Sequence, residues 1–185
     1  MTANILSEPT PFSSLGEGIL TTVKNLLLDK TSALSPEATL TGTTRRQSMV
    51  LELGQGDNLI IEIEGEAPAW LSGVIRQLPP LANLSTNWNS YGAVPVSRKS
   101  IIAALVVLFS VMQEDTPIPD LVPTPRGTIQ LEWHTRGIDL EVDVLPGGLF
   151  HISYEDLRGD ALVEDLTTLS LGVVNQALTE LSTRG

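Results

Sequence analysis

The chain has 185 residues, a hydrophobic content of 42%, a formal net charge of −11 and no cysteine. This composition is sufficient for one folded core, and it excludes disulfides, thiolate metal sites and a cysteine nucleophile. The negative charge disfavours contact with phosphate backbones, so nucleic acid is not an expected partner, whereas a basic protein, a cation or solubility alone would suit it.

Neither a secretion signal nor a membrane-spanning segment is expected. The N-terminal sequence has no basic stretch followed by an apolar run. The longest apolar run, Ile101 to Phe109, is far shorter than the roughly 20 residues of a membrane-spanning helix. Together with the absence of cysteine, this predicts a cytoplasmic protein that does not bind membranes.

The chain is predicted to begin with a flexible tail and a helix. Residues 1–10 show no regular pattern and are expected to form the tail. Apolar residues after the tail recur at helical spacing, which predicts a first amphipathic helix. These residues are Leu15, Ile19, Val23 and Leu26 or Leu27.

Strand patterns follow the first helix. Residues 49–53 and 59–64 alternate on either side of a glycine-containing turn, which predicts a β-hairpin, and residues 39–43 are expected to add a third strand. A helix should then extend from about residue 69 to residue 77. The pair Pro79-Pro80 is expected to end it, because proline removes a helical hydrogen bond.

The central helix is the most apolar element of the chain. Ser97 is a typical N-cap residue, and the helix that it predicts extends from Arg98 to about Gln113. Apolar residues occur on most sides of this helix, so it should be buried on most sides. Two arrangements satisfy that requirement: the helix is central within one chain, or Ile101–Met112 is covered by a second subunit in a homodimer.

The second half is predicted to contain a β-meander and a final helix. Four prolines make residues 116–125 an extended connection. Three strands follow at residues 128–134, 138–144 and 149–154, separated by glycine-containing turns. Asp160 should cap a last amphipathic helix, whose apolar side chains are Leu162, Leu166, Leu169, Val173 and Ala177.

Two groups of strands separated by helices predict an α+β fold with antiparallel sheet. The two β-meanders are expected to pack against the N-terminal, central and C-terminal helices. We expect one domain over residues 1–185, and the proline-rich connection leaves a division into two halves, 11–80 and 81–185, as an alternative.

The second meander is predicted to have one apolar face and one acidic face, because successive side chains of a strand point to opposite sides. The turn at Arg136-Gly137 and the turn after it set the register of the three strands. The cross-strand pairs expected on the face opposite the core are Glu132 with Glu141, His134 with Asp139, and Asp143 with His151.

This acidic face allows several interpretations. Glu132 opposite Glu141 is a like-charge pair, which a metal ion, a basic partner or water and salt would offset. Histidine and carboxylates suit a divalent ion, and a glutamate with a raised pKa could act as a general base. A hydrated or partner-facing surface is the more common use of such a face. The candidate metal ligands are Glu132, His134, Glu141, Asp143 and His151.

A polar loop between two helices carries two aromatic side chains. It has the sequence N-W-N-S-Y-G-A over residues 87–93. Trp88 and Tyr91 offer the large apolar area and polar tip of a protein-binding hot spot. The alternative, which the polarity of the loop favours, is that Trp88 plugs the core below the central helix and Tyr91 hydrogen-bonds a neighbouring loop.

Two motifs carry a resemblance. The segments N-W-N-S-Y-G-A-V-P-V-S at 87–97 and V-P-T-P-R-G-T-I-Q-L-E-W-H at 122–134 resemble signatures shared by small, uncharacterised bacterial proteins. This resemblance covers roughly residues 84–154, implies bacterial or phage origin and carries over no catalytic residue. The order of elements is similar to that of type III secretion chaperones and YbjN-like proteins, which implies a dimer that binds partner segments on its surface.

These observations lead to the hypothesis of a non-enzymatic, acidic protein-binding module of antitoxin, immunity or chaperone type, with a basic protein as partner. The alternatives are a metal-dependent hydrolase or nuclease on the acidic face, and a structural component of a phage or secretion assembly. No catalytic residue or cofactor is assigned, because no zinc-protease, nucleotide-binding or serine-hydrolase motif occurs. The expected partner-binding residues are Trp88, Tyr91, Glu132, His134, Asp139, Glu141, Asp143 and His151.

Overall fold

The computed structural model describes residues 21–24, 46–53 and 58–184. Helices and antiparallel strands both occur there, so the predicted α+β class is confirmed. The described elements are β1 (Thr21–Lys24), β2 (Arg46–Glu52), β3 (Asn58–Glu64), α1 (Leu71–Ala82), α2 (Arg98–Val111), β4 (Asp120–Pro123), β5 (Ile129–Thr135), β6 (Ile138–Val144), β7 (Phe150–Asp156), β8 (Leu162–Thr168) and α3 (Gly172–Thr183).

The described strands form two antiparallel sheets. The first has the order β1-β3-β2, and the second is a five-stranded meander in chain order from β4 to β8. The hairpin of β2 and β3 is the predicted one, and Leu59, Ile61 and Ile63 of β3 are fully buried. In the five-stranded sheet, the alternation of side chains turns the apolar residues of β5, β6 and β7 toward the core and the charged ones away from it.

Helix α2 lies at the centre of the described structure. It starts where predicted, with the Ser97 hydroxyl accepting a hydrogen bond of 3.1 Å from the backbone N–H of Ser100. It contacts α1, α3 and strands of both sheets. One hydrophobic cluster includes side chains of both sheets and all three described helices. The chain itself therefore buries one side of α2, including Ile101, Leu105 and Leu108, whereas Ile102 and Val106 on another side stay half-buried. A homodimer through Ile101–Met112 stays a prediction.

Helix α1 continues through the two prolines that were expected to end it. Pro79 and Pro80 lie in its last turn, and the helix ends at Ala82. Each proline removes one backbone donor, but its fixed φ is compatible with a helix. Burial of Leu78 and Leu81 on either side of the prolines favours the extra turn. The side chain of Asn83 closes the turn by donating a hydrogen bond of 2.8 Å to the Pro79 carbonyl.

The predicted last helix is wrong over its first half, because residues 162–168 form strand β8. Val163 and Leu166 both lie opposite core residues of β7, with a register shift between them, and Asp165 has a positive φ of 51°. This bulge places two inward side chains three residues apart. That spacing is also typical of a helix, which explains the error. Helix α3 begins at Gly172, and Asp160 is not its N-cap.

Two further expectations need correction. Val23 was assigned to an N-terminal helix, but Thr21–Lys24 is a strand paired with β3. The proline-rich connection 116–125 contains a short strand, β4, paired with β5. The predicted tail (1–10), the remainder of the N-terminal helix and the expected strand at 39–43 lie outside the described residues. None of the described helices has the length and apolar character needed to cross a bilayer.

Candidate functional site

The face of the five-stranded sheet opposite the core, called the outer face below, carries the predicted acidic cluster. All three predicted cross-strand pairs on it are confirmed: Glu132 with Glu141, His134 with Asp139, and Asp143 with His151. Both histidines of the chain therefore lie on one side of the meander. The register follows from the two-residue Arg136-Gly137 turn, in which both residues have the positive φ that such hairpins require.

His134 is held between two carboxylates. Its Nε2 atom lies 3.1 Å from Glu132 Oε2, and its Nδ1 atom lies 2.8 Å from Asp139 Oδ1. Partial burial disfavours the charged imidazolium, but the hydrogen bond with Glu132 and the charge of Asp139 outweigh it and raise the pKa of His134 above its ordinary value. The site therefore favours a protonated histidine that partly neutralises the two acidic neighbours.

Three of the five candidate metal ligands lie close together. One donor atom each from Glu132, His134 and Glu141 falls within 4.8 Å of the others. Both ring nitrogens of His134 contact carboxylates, however, and Gln130 Nε2 donates a hydrogen bond of 2.6 Å to Glu141 Oε2. A metal ion would require a neutral His134 and the loss of at least one of these contacts.

The other two candidate ligands have separate partners. Asp143 lies on the outer face, as predicted, but it is only 5% exposed. Its oxygens accept hydrogen bonds of 2.6 Å from the Thr128 hydroxyl and 3.1 Å from the Arg126 guanidinium. The turn before β5 folds over Asp143 and covers it. His151 Nε2 lies 3.3 Å from Asp165 Oδ1 on the bulge of β8.

The outer face contains acidic residues that sequence reasoning missed. Asp120 lies opposite Glu132, and Glu155 lies opposite Asp139, so like charges face each other at two further cross-strand positions. A shallow concavity of about 220 Å³ is lined by Asp139, Glu141, Glu155 and Glu164, among others. Strand parity could have identified Glu155 if the third strand had been extended by one residue. Asp120 was missed because its segment was predicted to be a proline-rich connection, and Glu164 because its segment was predicted to be a helix.

The aromatic loop, residues 87–93, is held mainly by its own asparagines. The Asn87 side chain accepts a hydrogen bond of 2.6 Å from Gly92 N–H, and the Asn89 side chain accepts hydrogen bonds from Tyr91 and Ala93 N–H. Trp88 is half-buried and donates through Nε1 to the Val94 carbonyl at 3.3 Å, so it packs beside its own loop. Tyr91 is 93% exposed, which contradicts the expectation that it is anchored to a neighbouring loop.

The two sequence motifs meet in space. Val94 N–H donates to the Pro125 carbonyl at 2.9 Å, and Ser97 N–H donates to the Gly127 carbonyl at 3.2 Å. The Ser100 hydroxyl donates a further hydrogen bond of 2.8 Å to the same Gly127 carbonyl. The segment after the aromatic loop is thereby fixed against the turn that covers Asp143. A large part of the motif pattern thus serves to position the loop and the start of α2.

Comparisons with known proteins add no family or fold relative. No family model, curated protein or solved structure matches the chain. Function is therefore inferred from the chemistry of the outer face and of the surfaces next to it.

Proposed function

We propose that the protein is a non-enzymatic binding module whose outer face receives a basic segment of a partner protein. The observation that carries this proposal is the run of like-charged cross-strand neighbours, in which Asp120 faces Glu132, Glu132 faces Glu141, and Asp139 faces Glu155. Like charges directly opposite each other destabilise a sheet. A partner that supplies Lys or Arg side chains would relieve that repulsion on binding.

The residues that the structure describes offset the charge of this face only in part. His134 and His151 are its two histidines, and both already contact carboxylates. Arg126 contacts Asp143 at the end of the sheet, away from the Glu132–Glu141 pair in the register. The net charge of −11 adds long-range attraction for a basic protein and increases its association rate. This profile fits an antitoxin, an immunity protein or a chaperone-like protein.

The test compares charge reversals at two places. Glu132→Lys/Glu141→Lys changes the outer face, whereas Glu114→Lys/Asp115→Lys makes the same change of charge in the exposed turn after α2. Partners recovered from the native host by the wild-type protein should be basic, should be lost with the first double variant and should persist with the second. Recombinant partner should bind more weakly as salt increases. Recovery that is equal for both variants, or a partner without a basic surface, would contradict the proposal.

A second candidate function rests on the proximity of Glu132, His134 and Glu141. Carboxylate and imidazole donors at this separation suit a divalent ion such as Mn²⁺ or Zn²⁺, as a metal-dependent hydrolase or nuclease would require. Elemental analysis of the purified protein and thermal unfolding with added ions test it, with Glu141→Gln as the variant and Glu155→Gln as the control. Purified wild-type protein without bound metal, whose melting temperature is unchanged by added divalent ions, would rule this function out.

A further inference from the structure

An apolar cavity lies between α2 and the connection from β6 to β7. Its volume is about 620 Å³, within the roughly 300–1,000 Å³ range of small-molecule sites. Ile102, Ala103 and Val106 line it from α2, and Val144 and Phe150 line it from the sheet. The cavity therefore borders the core, on the part of α2 that the sheets leave half-buried.

The sequence of the β6–β7 connection explains why the cavity stays open. This connection contains Pro146-Gly147-Gly148, and its two glycines bring no side chain to fill the space beside α2. A Cβ atom added at Gly147 would have no heavy atom within 4 Å. The gap is thus produced by residue choice at the turn, and its lining of aliphatic and aromatic side chains suits an apolar occupant.

One end of the cavity is polar and cationic. Ser97, Lys99 and Ser100, from the start of α2, line this end. The Ser97 hydroxyl caps the helix, and the Ser100 hydroxyl donates to the Gly127 carbonyl, so both have structural partners. Lys99 is exposed and is the one charged residue among the described residues that line the cavity. The positive end of the α2 dipole adds to its charge.

We propose that this cavity binds an amphipathic carboxylate of the fatty-acid type. The alkyl chain lies between α2 and the glycine turn, and the carboxylate contacts Lys99. Charge complementarity selects this ligand, because the described residues of the lining include a cation and no carboxylate, although the protein as a whole carries a net charge of −11. The cavity is separate from the outer face. A negative result for carboxylate binding would therefore leave the proposed function untouched, and the reverse also holds.

The experiment measures binding of three probes with the same alkyl chain: decanoate, decan-1-ol and decyltrimethylammonium. Titration calorimetry below micelle-forming concentrations should show one saturable site for decanoate and weaker binding of the neutral and cationic probes. Lys99→Glu should weaken decanoate binding about fivefold, the effect of one exposed ion pair, and leave decan-1-ol unchanged. Arg76→Glu, an exposed position of α1 that makes the same change of charge, should bind decanoate like the wild type.

A second pair of variants tests the cavity itself. Ala103→Trp places a large side chain in the cavity and should abolish binding, whereas Ser72→Trp, at an exposed position of α1, should not. Val106→Phe replaces Ala103→Trp if circular dichroism shows that the latter is unfolded. Decanoate binding that survives in a folded cavity-filling variant would overturn the proposal. Equal affinity for all three probes would also overturn it, because the occupant would then be a neutral molecule. Self-association that Ala103→Trp abolishes would do the same, because the occupant would then be a second copy of the chain.

Discussion

At the scale of single residues, the contacts of His134 decide the charge state of the outer face. Glu132 and Asp139 stabilise the imidazolium and raise the pKa of His134 above its ordinary value of about 6.5. A raised pKa means that the folded state binds this proton more tightly than the unfolded state. The resulting stabilisation is complete below the unfolded pKa and disappears as pH rises through the folded pKa. Because the His134 side chain is 41% exposed, we expect its contribution to the free energy of unfolding to be less than about 1 kcal/mol.

The pKa of His134 can be measured directly by NMR titration of its imidazole protons. We expect a value above 6.5 in the wild-type protein, and lower values in Glu132→Gln and Asp139→Asn, because each variant removes one carboxylate partner. Asp115→Asn, in the exposed turn after α2, is the control and should leave the titration unchanged. A wild-type value below 6.5, or no response to either variant, would show that the two carboxylates do not hold the ring as described.

Gly127 provides a test of the contact between the two motifs. Its φ is 79°, and a Cβ at this position would lie 2.6 Å from the Pro95 carbonyl oxygen. Gly147 has a similar φ of 81° but open space around the Cβ position. Gly147→Ala should therefore lower the free energy of unfolding by only about 1 kcal/mol, the cost of the backbone strain. Gly127→Ala should lower the free energy of unfolding by at least about 1 kcal/mol more, from the added clash.

Urea denaturation of the two alanine variants, monitored by circular dichroism, measures this difference. Equal destabilisation would mean that residues 94–97 do not pack tightly on the turn before β5. Loss of that packing should also change the environment of Trp88, whose Nε1 donates to the Val94 carbonyl, so tryptophan fluorescence gives a second measurement.

At the scale of elements, local pattern predicted the ribbon of β5, β6 and β7 because two signals agreed there. Strict alternation gave the faces, and the glycine turns gave the register, so the placement of Glu132, His134, Asp139 and Glu141 was correct. The burial of Asp143 could not be predicted in this way. It depends on the side chains of Arg126 and Thr128, which reach it from the turn before β5.

Errors arose where tertiary packing overrode a local signal. The bulge of β8 gave its inward residues Val163 and Leu166 a helical spacing. Helix α1 continues through two prolines, and this extension buries Leu78 and Leu81. The prolines of residues 116–125 also obscured β4, although a short edge strand tolerates them. The acidic residues of β4 and β8 were missed for the same reasons.

Helix α3 is fixed to the five-stranded sheet by a charged network at its C-terminal end. Arg184 donates hydrogen bonds of 2.8 and 2.6 Å to the two oxygens of Asp156. Tyr154 donates through its hydroxyl to Glu180 at 2.8 Å, and burial together with this contact raises the pKa of Tyr154 to about 12. The Arg184 hydrogen bonds, with that from the Arg158 backbone, lower the pKa of Asp156 to about 2.

Acid should therefore weaken the attachment of α3. Because the folded pKa of Asp156 is depressed, its stabilisation is present above the unfolded value of 3.8 and is lost as pH falls toward 2. The urea midpoint of the wild-type protein should decrease between pH 5 and pH 2, and Asp156→Asn should start lower and decrease less. Asp115→Asn, which removes an exposed carboxylate, should follow the wild type. An Asp156→Asn variant with the full wild-type acid dependence would contradict this role.

At the scale of the whole molecule, the fold separates apolar burial from charge. Helix α2 contacts strands of both sheets, so the most apolar segment is largely enclosed. Carboxylates are concentrated on the outer face, where like-charged pairs lie directly opposite each other. The core thus stabilises the fold, whereas electrostatic repulsion at one surface opposes it, and under the proposed function a basic partner would relieve that repulsion.

This division predicts that salt stabilises the isolated protein. Sodium chloride at 0.3 M should raise the urea midpoint above its value at 10 mM, because screening weakens repulsion between exposed charges. Asp120→Asn/Glu155→Gln removes one member from two like-charged cross-strand pairs, each worth roughly 0.2–1 kcal/mol, so it should raise the low-salt midpoint and reduce the salt response. Glu114→Gln/Asp115→Asn removes the same charge from an exposed turn, and it should change the low-salt midpoint and the salt response less. A wild-type midpoint that falls with salt would mean that attractive pairs dominate the surface. The outer face would then have no net repulsion for a basic partner to relieve.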